Sequence, residues 1–213
     1  MELYEAMSTL RAVRRLKPDS IPDDVLARVL QAGAWAPTGG NVQPWRVVVV
    51  KDPAKNRMMQ DWYAEEWTRY TAQRRTPTTE EQAKTERMLA AGDYLATHWG
   101  EAPAVLVFCF NPAMMAITDA ELERPSVVGG GSVYTAVQNV LLAARAEGLG
   151  CVLTTLLCYR EEEVQALLDI PEGWGTCAHI PLGWPASKGH GPIARRPVAG
   201  LAKLDSWDVA YPE

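Results

Sequence analysis

The run Ala104-Val105-Leu106-Val107-Phe108-Cys109-Phe110 constrains the fold more than any other stretch. It is apolar without interruption, and it is too short for a buried helix of ordinary length. It reads as a central strand with both faces buried, not as an edge strand with one wet face. Such a strand needs cover on both sides, and helices supply it. Pro22 with Asp23 and Asp24 makes a helix start, and Val25, Leu26, Val29 and Leu30 follow at helical spacing. Asp52-Pro53 opens another helix through Met58, Met59, Trp62, Tyr63 and Trp67. Residues 2–10, 80–98 and 160–168 read as further helices. Ser132 is expected to cap one whose buried stripe is Val133, Val137, Val140, Leu141 and Ala144, with Gly148 and Gly150 ending it. Further strands are expected at 46–50, 151–157 and 176–183. Residues 74–81 and 111–131 read as irregular, and no internal repeat occurs. Helices alternating with a few strands give an α+β or α/β sandwich. At 213 residues and 47% hydrophobic, the chain suits one domain over 1–213, although two small ones would also fit. Within it, 61–94 is the expected lid and 192–213 a C-terminal tail.

Charge narrows the function. A formal net charge of −5 argues against a general nucleic-acid binder and against electrostatic membrane attachment. Nothing at the N-terminus resembles a signal peptide, and no run is long and apolar enough to span a bilayer. The four cysteines, Cys109, Cys151, Cys158 and Cys177, form no Cys-x-x-Cys, and only three histidines could join them. That speaks against a zinc site and for reduced core thiols in a cytoplasmic protein.

The loop Ala36-Pro37-Thr38-Gly39-Gly40-Asn41-Val42-Gln43-Pro44-Trp45 is the first candidate for binding. Its glycines allow close backbone approach, and Asn41 and Gln43 carry amides that both donate and accept. Pro44 is expected to hold Gln43 extended. Such a loop suits a flat ligand with polar edges.

Arg11 and Arg14 would share a face if locally helical, and two guanidinium forks match a phosphate; they also read as an exposed basic turn. Arg195-Arg196 is either a second anion contact or an ordinary exposed pair. Gly129-Gly130-Gly131-Ser132 lacks the Gly-Lys-[Ser/Thr] of a P-loop and reads as linker and N-cap. Thr154 and Thr155 could bond a ring edge or be plain strand threonines. Met58, Trp62, Tyr63, Trp67 and Tyr70 pack a helix or cover a planar ligand. There is no Gly-x-Ser-x-Gly and no His-Glu-x-x-His, and His98, His179 and His190 show no partner pattern. Few acid–base candidates beside several phosphate-grade arginines suggest that a cofactor carries the reaction.

In order, these pieces resemble the FMN-dependent nitroreductase family over most of the chain. Arg11-Ala12-Val13-Arg14-Arg15-Leu16 is similar to its Arg-Ser-x-Arg-x-Phe opening, and the 36–45 loop to its Ala-Pro-Ser-x-x-Asn-x-Gln-Pro-Trp. Gln138–Ala144 with Gly148-Leu149-Gly150 resembles its central helix and following turn. Ile180–Pro185, then Arg195-Arg196-Pro197, resembles its closing strand and terminal arginine. Ala12 for serine removes a hydroxyl and leaves a backbone amide to serve. Leu10 stands where many members have another arginine, Leu16 is a packing change and Thr38 for serine is mild.

The resemblance implies an α+β fold, a mostly antiparallel central sheet flanked by helices, and an intertwined homodimer with two FMN sites at its interface. Arg11, Ala12, Arg14 and Arg15 would meet FMN from the first segment, and Arg195 would complete the phosphate cradle. Thr38, Gly39, Asn41 and Gln43 would reach the partner's flavin, while Leu153, Thr154, Thr155 and Leu156 would line the ring edge. No protein residue would be an obligatory acid. The activity implied is transfer of electrons from NADH or NADPH through flavin N5 to a small-molecule acceptor such as a nitroaromatic or quinone. The rivals are a reductive dehalogenase, faintly suggested by Glu66 and Tyr70, a flavin-fragmenting enzyme, which no motif here supports, a non-catalytic flavin-binding or redox-sensing protein, and a generic α/β domain without flavin.

Overall fold

A computed structural model of the chain describes residues 1–72 and 82–212, and of Gln82–Lys84 only the backbone. Among these residues the helices are α1 (Leu3–Thr9), α2 (Asp23–Ala34), α3 (Pro53–Thr71), α4 (Gln82–His98), α5 (Gly131–Ala146) and α6 (Glu161–Leu168). The strands are β1 (Trp45–Val50), β2 (Ala104–Phe110), β3 (Gly150–Cys151) and β4 (Gly175–Gly183). The loop expected at 74–81 lies outside the described residues, as do positions 80 and 81 of the helix expected over 80–98.

The strands form one sheet in the order β1-β2-β4-β3, antiparallel throughout. Strand β2 occupies the middle, as its apolar run requires. Trp45 pairs with Phe110 on one side of it, and Ala104 with Leu182 on the other. Its side chains alternate between two cores. Ala104, Leu106 and Phe108 join Ala178, Ile180 and Leu182 of β4 against α2 and α5. Val105, Val107 and Cys109 meet Met59, Tyr63, Trp67, Leu95 and Trp99 of the α3–α4 layer. This is an α+β architecture with helices on both faces of an antiparallel sheet.

Three local expectations are corrected. The strand expected at 151–157 stops after Cys151. Thr154 then makes a single bridge to His179, and the chain tightens into a 3₁₀ turn over Leu156–Arg160 that drives Leu156 and Leu157 into the core. Packing of those leucines outweighs the β propensity of Val152 and the two threonines. Helix α5 begins one residue before Ser132, without a side-chain cap, because the Ser132 hydroxyl accepts from Gly39 N–H at 3.0 Å. Leu141 of the expected stripe is half-buried, and Ala136 is buried instead.

Helices α3 and α4 touch closely at Gly92. A Cβ there would lie 2.0 Å from Trp67 Cζ2, and the indole is held by a 2.8 Å bond from its Nε1 to Asp93. Alanine gains about 1 kcal/mol in helix propensity, but overpacking costs about 1–3 kcal/mol and this overlap is deep. Gly92→Ala should therefore lower stability by about 1–2 kcal/mol in urea unfolding; an unchanged midpoint at unchanged slope would contradict the contact.

Candidate functional site

The segment after α1 is extended rather than helical, so Arg11 and Arg14 do not share a helix face. Backbone contacts fix it along the sheet edge beyond β3. Val13 N–H donates to the Cys151 carbonyl at 2.8 Å, Lys17 N–H to that of Trp184 at 2.8 Å, and Ala12 bridges Cys151 in parallel. The tail returns to the same place. Gly191 N–H donates to the Thr9 carbonyl at 3.0 Å and Ile193 N–H to that of Ser8 at 3.2 Å.

Between segment and tail lies a cavity of about 330 Å³ walled by Arg11, Arg14 and Arg195 together with Leu10, Ala12 and Pro192–Ala194. Arg11 Nε donates to the Pro192 carbonyl at 3.0 Å, and Arg195 Nη1 to that of Ala194 at 2.8 Å. Both acceptors are neutral. Among the described residues none of the three arginines pairs with a carboxylate, and no acidic residue lines the cavity.

Arg14 also walls a second cavity, of about 280 Å³. Its floor is Val152–Leu156, and its cover is Tyr63, Trp67 and Tyr70 of α3 with Met88 of α4. Positions 63, 67 and 70 recur at helical spacing, so one face of α3 presents all three rings. Thr154 is held by reciprocal backbone bonds with His179, 3.1 and 2.9 Å, and its hydroxyl accepts from Leu156 N–H at 3.3 Å. Burial pushes the Tyr63 phenol above its ordinary range, while a side-chain bond to Thr154 and the charge of Arg14 pull it back.

The remaining expected residues are placed elsewhere. The Arg15 guanidinium lies 3.9 Å over the Tyr94 ring, which stacks on His98 at 3.8 Å. Arg15 therefore turns away from the cavity that Arg11 and Arg14 share. Thr38, Gly39, Asn41 and Gln43 line neither arginine cavity. Gly39 instead borders a third space of about 270 Å³ with Gly40, Val42, Met114–Ala116 and Val128–Gly129. Gln43 is not extended: its φ is +49°, and Gly40 and Asn41 are also left-handed at +57° and +56°. The loop closes on itself, with Gln43 N–H donating to Thr38 Oγ1 at 3.1 Å and its side-chain amide to Asn41 Oδ1 at 3.3 Å. These internal bonds outweigh the preference that Pro44 imposes.

Glu66 does not face the cavity as a free carboxylate. Its side chain is 3% exposed; Arg160 Nε donates to it at 2.7 Å and Arg69 pairs with its other oxygen. Desolvation pushes the thiols of buried Cys151 and half-buried Cys177 up to about 12 and that of buried Cys109 to about 11, so all three are protonated near neutrality. Among the described residues no three His, Cys, Asp or Glu side chains gather as metal ligands, and no helix is long and apolar enough to cross a membrane. Sequence reasoning missed Met88, Val152 and Pro192–Ala194. Of these, Pro192 works through its carbonyl, which no side-chain pattern reports.

Known proteins of similar sequence and fold give the family of the chain. The model of the Nitroreductase family matches residues 9–184. The 5,6-dimethylbenzimidazole synthase of Rhodospirillum rubrum is 34% identical over 208 residues, 95% of this chain and 87% of that protein. The NADH dehydrogenase of Thermus thermophilus is 30% identical over 214 residues, covering 88% of each. In structure, oxidized iodotyrosine deiodinase bound to FMN and 3-iodo-L-tyrosine superposes with a TM-score of 0.74 at 23% identity, covering 97% of this chain and 100% of that one.

Proposed function

The chain belongs to the nitroreductase family, and on that premise we propose that it is an FMN-dependent NAD(P)H oxidoreductase that reduces nitroaromatics, quinones or similar small acceptors. The observation that carries this is the convergence of Arg11, Arg14 and Arg195 on one cavity with no carboxylate to neutralise them. A phosphate monoester is close to dianionic at neutral pH and accepts from several forks at once, so the cavity fits the FMN phosphate. Arg14, common to both cavities, fits a ligand that runs from phosphate to ring.

When bound, FMN supplies two-electron hydride chemistry between NADH or NADPH and the acceptor. The chain does the rest. Arg11, Arg14 and Arg195 would hold the phosphate, with the Ala12 backbone replacing a serine hydroxyl. Arg14, which also walls the second cavity, would bring its positive charge to the ring as well and so favour the reduced form. Leu153–Leu156 form the edge contact, with the Thr154 and Thr155 hydroxyls as its polar groups. Tyr63, Trp67 and Tyr70 exclude water above them. No side chain is assigned as an obligatory acid.

The site is completed by a second copy of the chain. Thr38, Gly39, Asn41 and Gln43 stand apart from the arginine cavities within one chain, so we assign them to the partner's flavin. Large apolar side chains left in solvent support a homodimer: Tyr4 is 83% exposed, Trp35 75% and Trp207 85%. We place this dimer in the cytoplasm, without a nucleic-acid or membrane partner and as a single FMN-binding domain whose 61–94 segment acts as the lid. Glu66, the acid considered for a dehalogenase-type clamp, is engaged by two arginines and is not free for that role.

The test is anaerobic mixing of the purified yellow protein with NADH or NADPH, followed by menadione or nitrofurazone. Bleaching and then recovery of the flavin band is expected. Yellow protein that neither donor bleaches would make this a flavin-binding or sensing protein. Appearance of 5,6-dimethylbenzimidazole on reoxidation in air would move it to the activity for which its R. rubrum relative is named.

A further inference from the structure

Arg160 lies outside every cavity described above, yet it joins the two walls of the second one. It ends the 3₁₀ turn that begins at the floor residue Leu156. From there its guanidinium reaches the cover helix. Nε donates to Glu66 Oε1 at 2.7 Å, Nη2 pairs with Glu65, and Nη1 donates to Glu163 Oε1 at 3.2 Å. Glu66 precedes the ring-bearing position 67 on α3. A second tie runs the opposite way: Arg69 of α3 pairs with Glu66 and lies 4.8 Å over the ring of Tyr159. Cover and floor are thus fastened by a fork geometry around a carboxylate that is almost wholly buried.

A purely apolar contact would permit α3 to slide or rotate by a fraction of a turn. A guanidinium fork anchored on the buried Glu66 carboxylate does not, because its hydrogen bonds are directional and breaking them removes compensation from a buried charge. Resting on the function proposed above, we infer that Arg160 is a positioning residue for acceptor binding. It sets the height of the Tyr63–Trp67–Tyr70 face above the Thr154–Leu156 floor, and so the thickness of planar molecule the slot accepts. It touches neither cofactor nor acceptor.

The test compares wild type with Arg160→Met, which keeps the stem and removes the fork, and Arg160→Lys, which keeps one charge and one bond. Glu66→Gln removes the partner charge and retains an acceptor. In the FMN-loaded dimer, Arg160→Met should raise KM for menadione about tenfold, Arg160→Lys about threefold, and Glu66→Gln between the two. FMN affinity and the rate of bleaching by NADH should stay within twofold. By hydrogen exchange, amides of residues 63–71 should exchange at least tenfold faster in Arg160→Met while those of β2 remain protected. A KM within twofold of wild type in the folded Arg160→Lys and Glu66→Gln proteins would overturn the inference. So would equal loosening of β2 and α3, which would make Arg160 a general stability residue. If wild type fails to bleach with either donor, the functional reading fails instead, and the local exchange result alone decides whether Arg160 fixes α3.

Discussion

Purified with alanine at both Arg14 and Arg195, the protein should come off the column colourless. Each arginine offers a phosphate charge-assisted hydrogen bonds worth about 1.5–3 kcal/mol, so each single substitution should weaken FMN binding about 10- to 100-fold. Titration of apoprotein with FMN, followed by quenching of flavin fluorescence, measures this directly. The apoprotein itself should melt at or slightly above the wild-type temperature, because neither arginine pairs with a carboxylate among the described residues and removing crowded like charges relieves repulsion. Arg15→Ala is the internal control: its guanidinium rests on Tyr94, so FMN affinity should hold. Stoichiometric FMN in the double variant would remove the phosphate assignment, and with it the main support for a flavoenzyme.

The second large effect is a loss of stability in mild acid centred on His179. This side chain is wholly buried on β4, and neither ring nitrogen has a partner. Desolvation disfavours the imidazolium and lowers its pKa to about 4, and the nearby Thr154 backbone offsets only part of that. In the unfolded chain the same group titrates near 6.5. Between those values the unfolded state binds a proton that the folded state refuses, so stability is full above pH 6.5 and falls as pH drops towards 4. The loss reaches about 3 kcal/mol by pH 4. Urea unfolding at a series of pH values should show it. In His179→Leu the acid loss should shrink by that amount, while stability near pH 7 should be equal or higher, since an unsatisfied buried N–H has been removed. A wild-type-minus-variant difference that does not change between pH 7 and 4 would contradict a neutral buried imidazole.

Much of the fold was legible because it follows from short-range pattern. The apolar run at 104–110 marked the central strand to the residue, and the Pro22 and Asp52-Pro53 starts marked α2 and α3. The expectation for 151–157 failed where propensity and tertiary packing pull apart. Val152, Leu153 and the two threonines favour a strand, but Leu156 and Leu157 are core residues that the chain must turn inward to bury. Ser132 was misassigned for a related reason, since its hydroxyl is claimed by Gly39 N–H from 93 residues away. The site divides the same way. Residue types announced Arg11, Arg14 and Arg195, but not that Arg15, adjacent to Arg14, would turn onto an aromatic ring. Nor could spacing show that Arg11 would meet the backbone of Pro192.

That last contact bears on how the protein is made. Arg11 and the Pro192 carbonyl are separated by 181 positions in the chain, and the arginine cavity has no second wall until residues 191–195 have been synthesised. At about 5–20 residues per second, a ribosome reaches them roughly 10–40 s after Arg11. Throughout that interval the nascent chain holds two unpaired arginines and half a cradle. On the function proposed above, cofactor loading would follow the docking of residues 191–195 onto residues 8–14 and would not guide it.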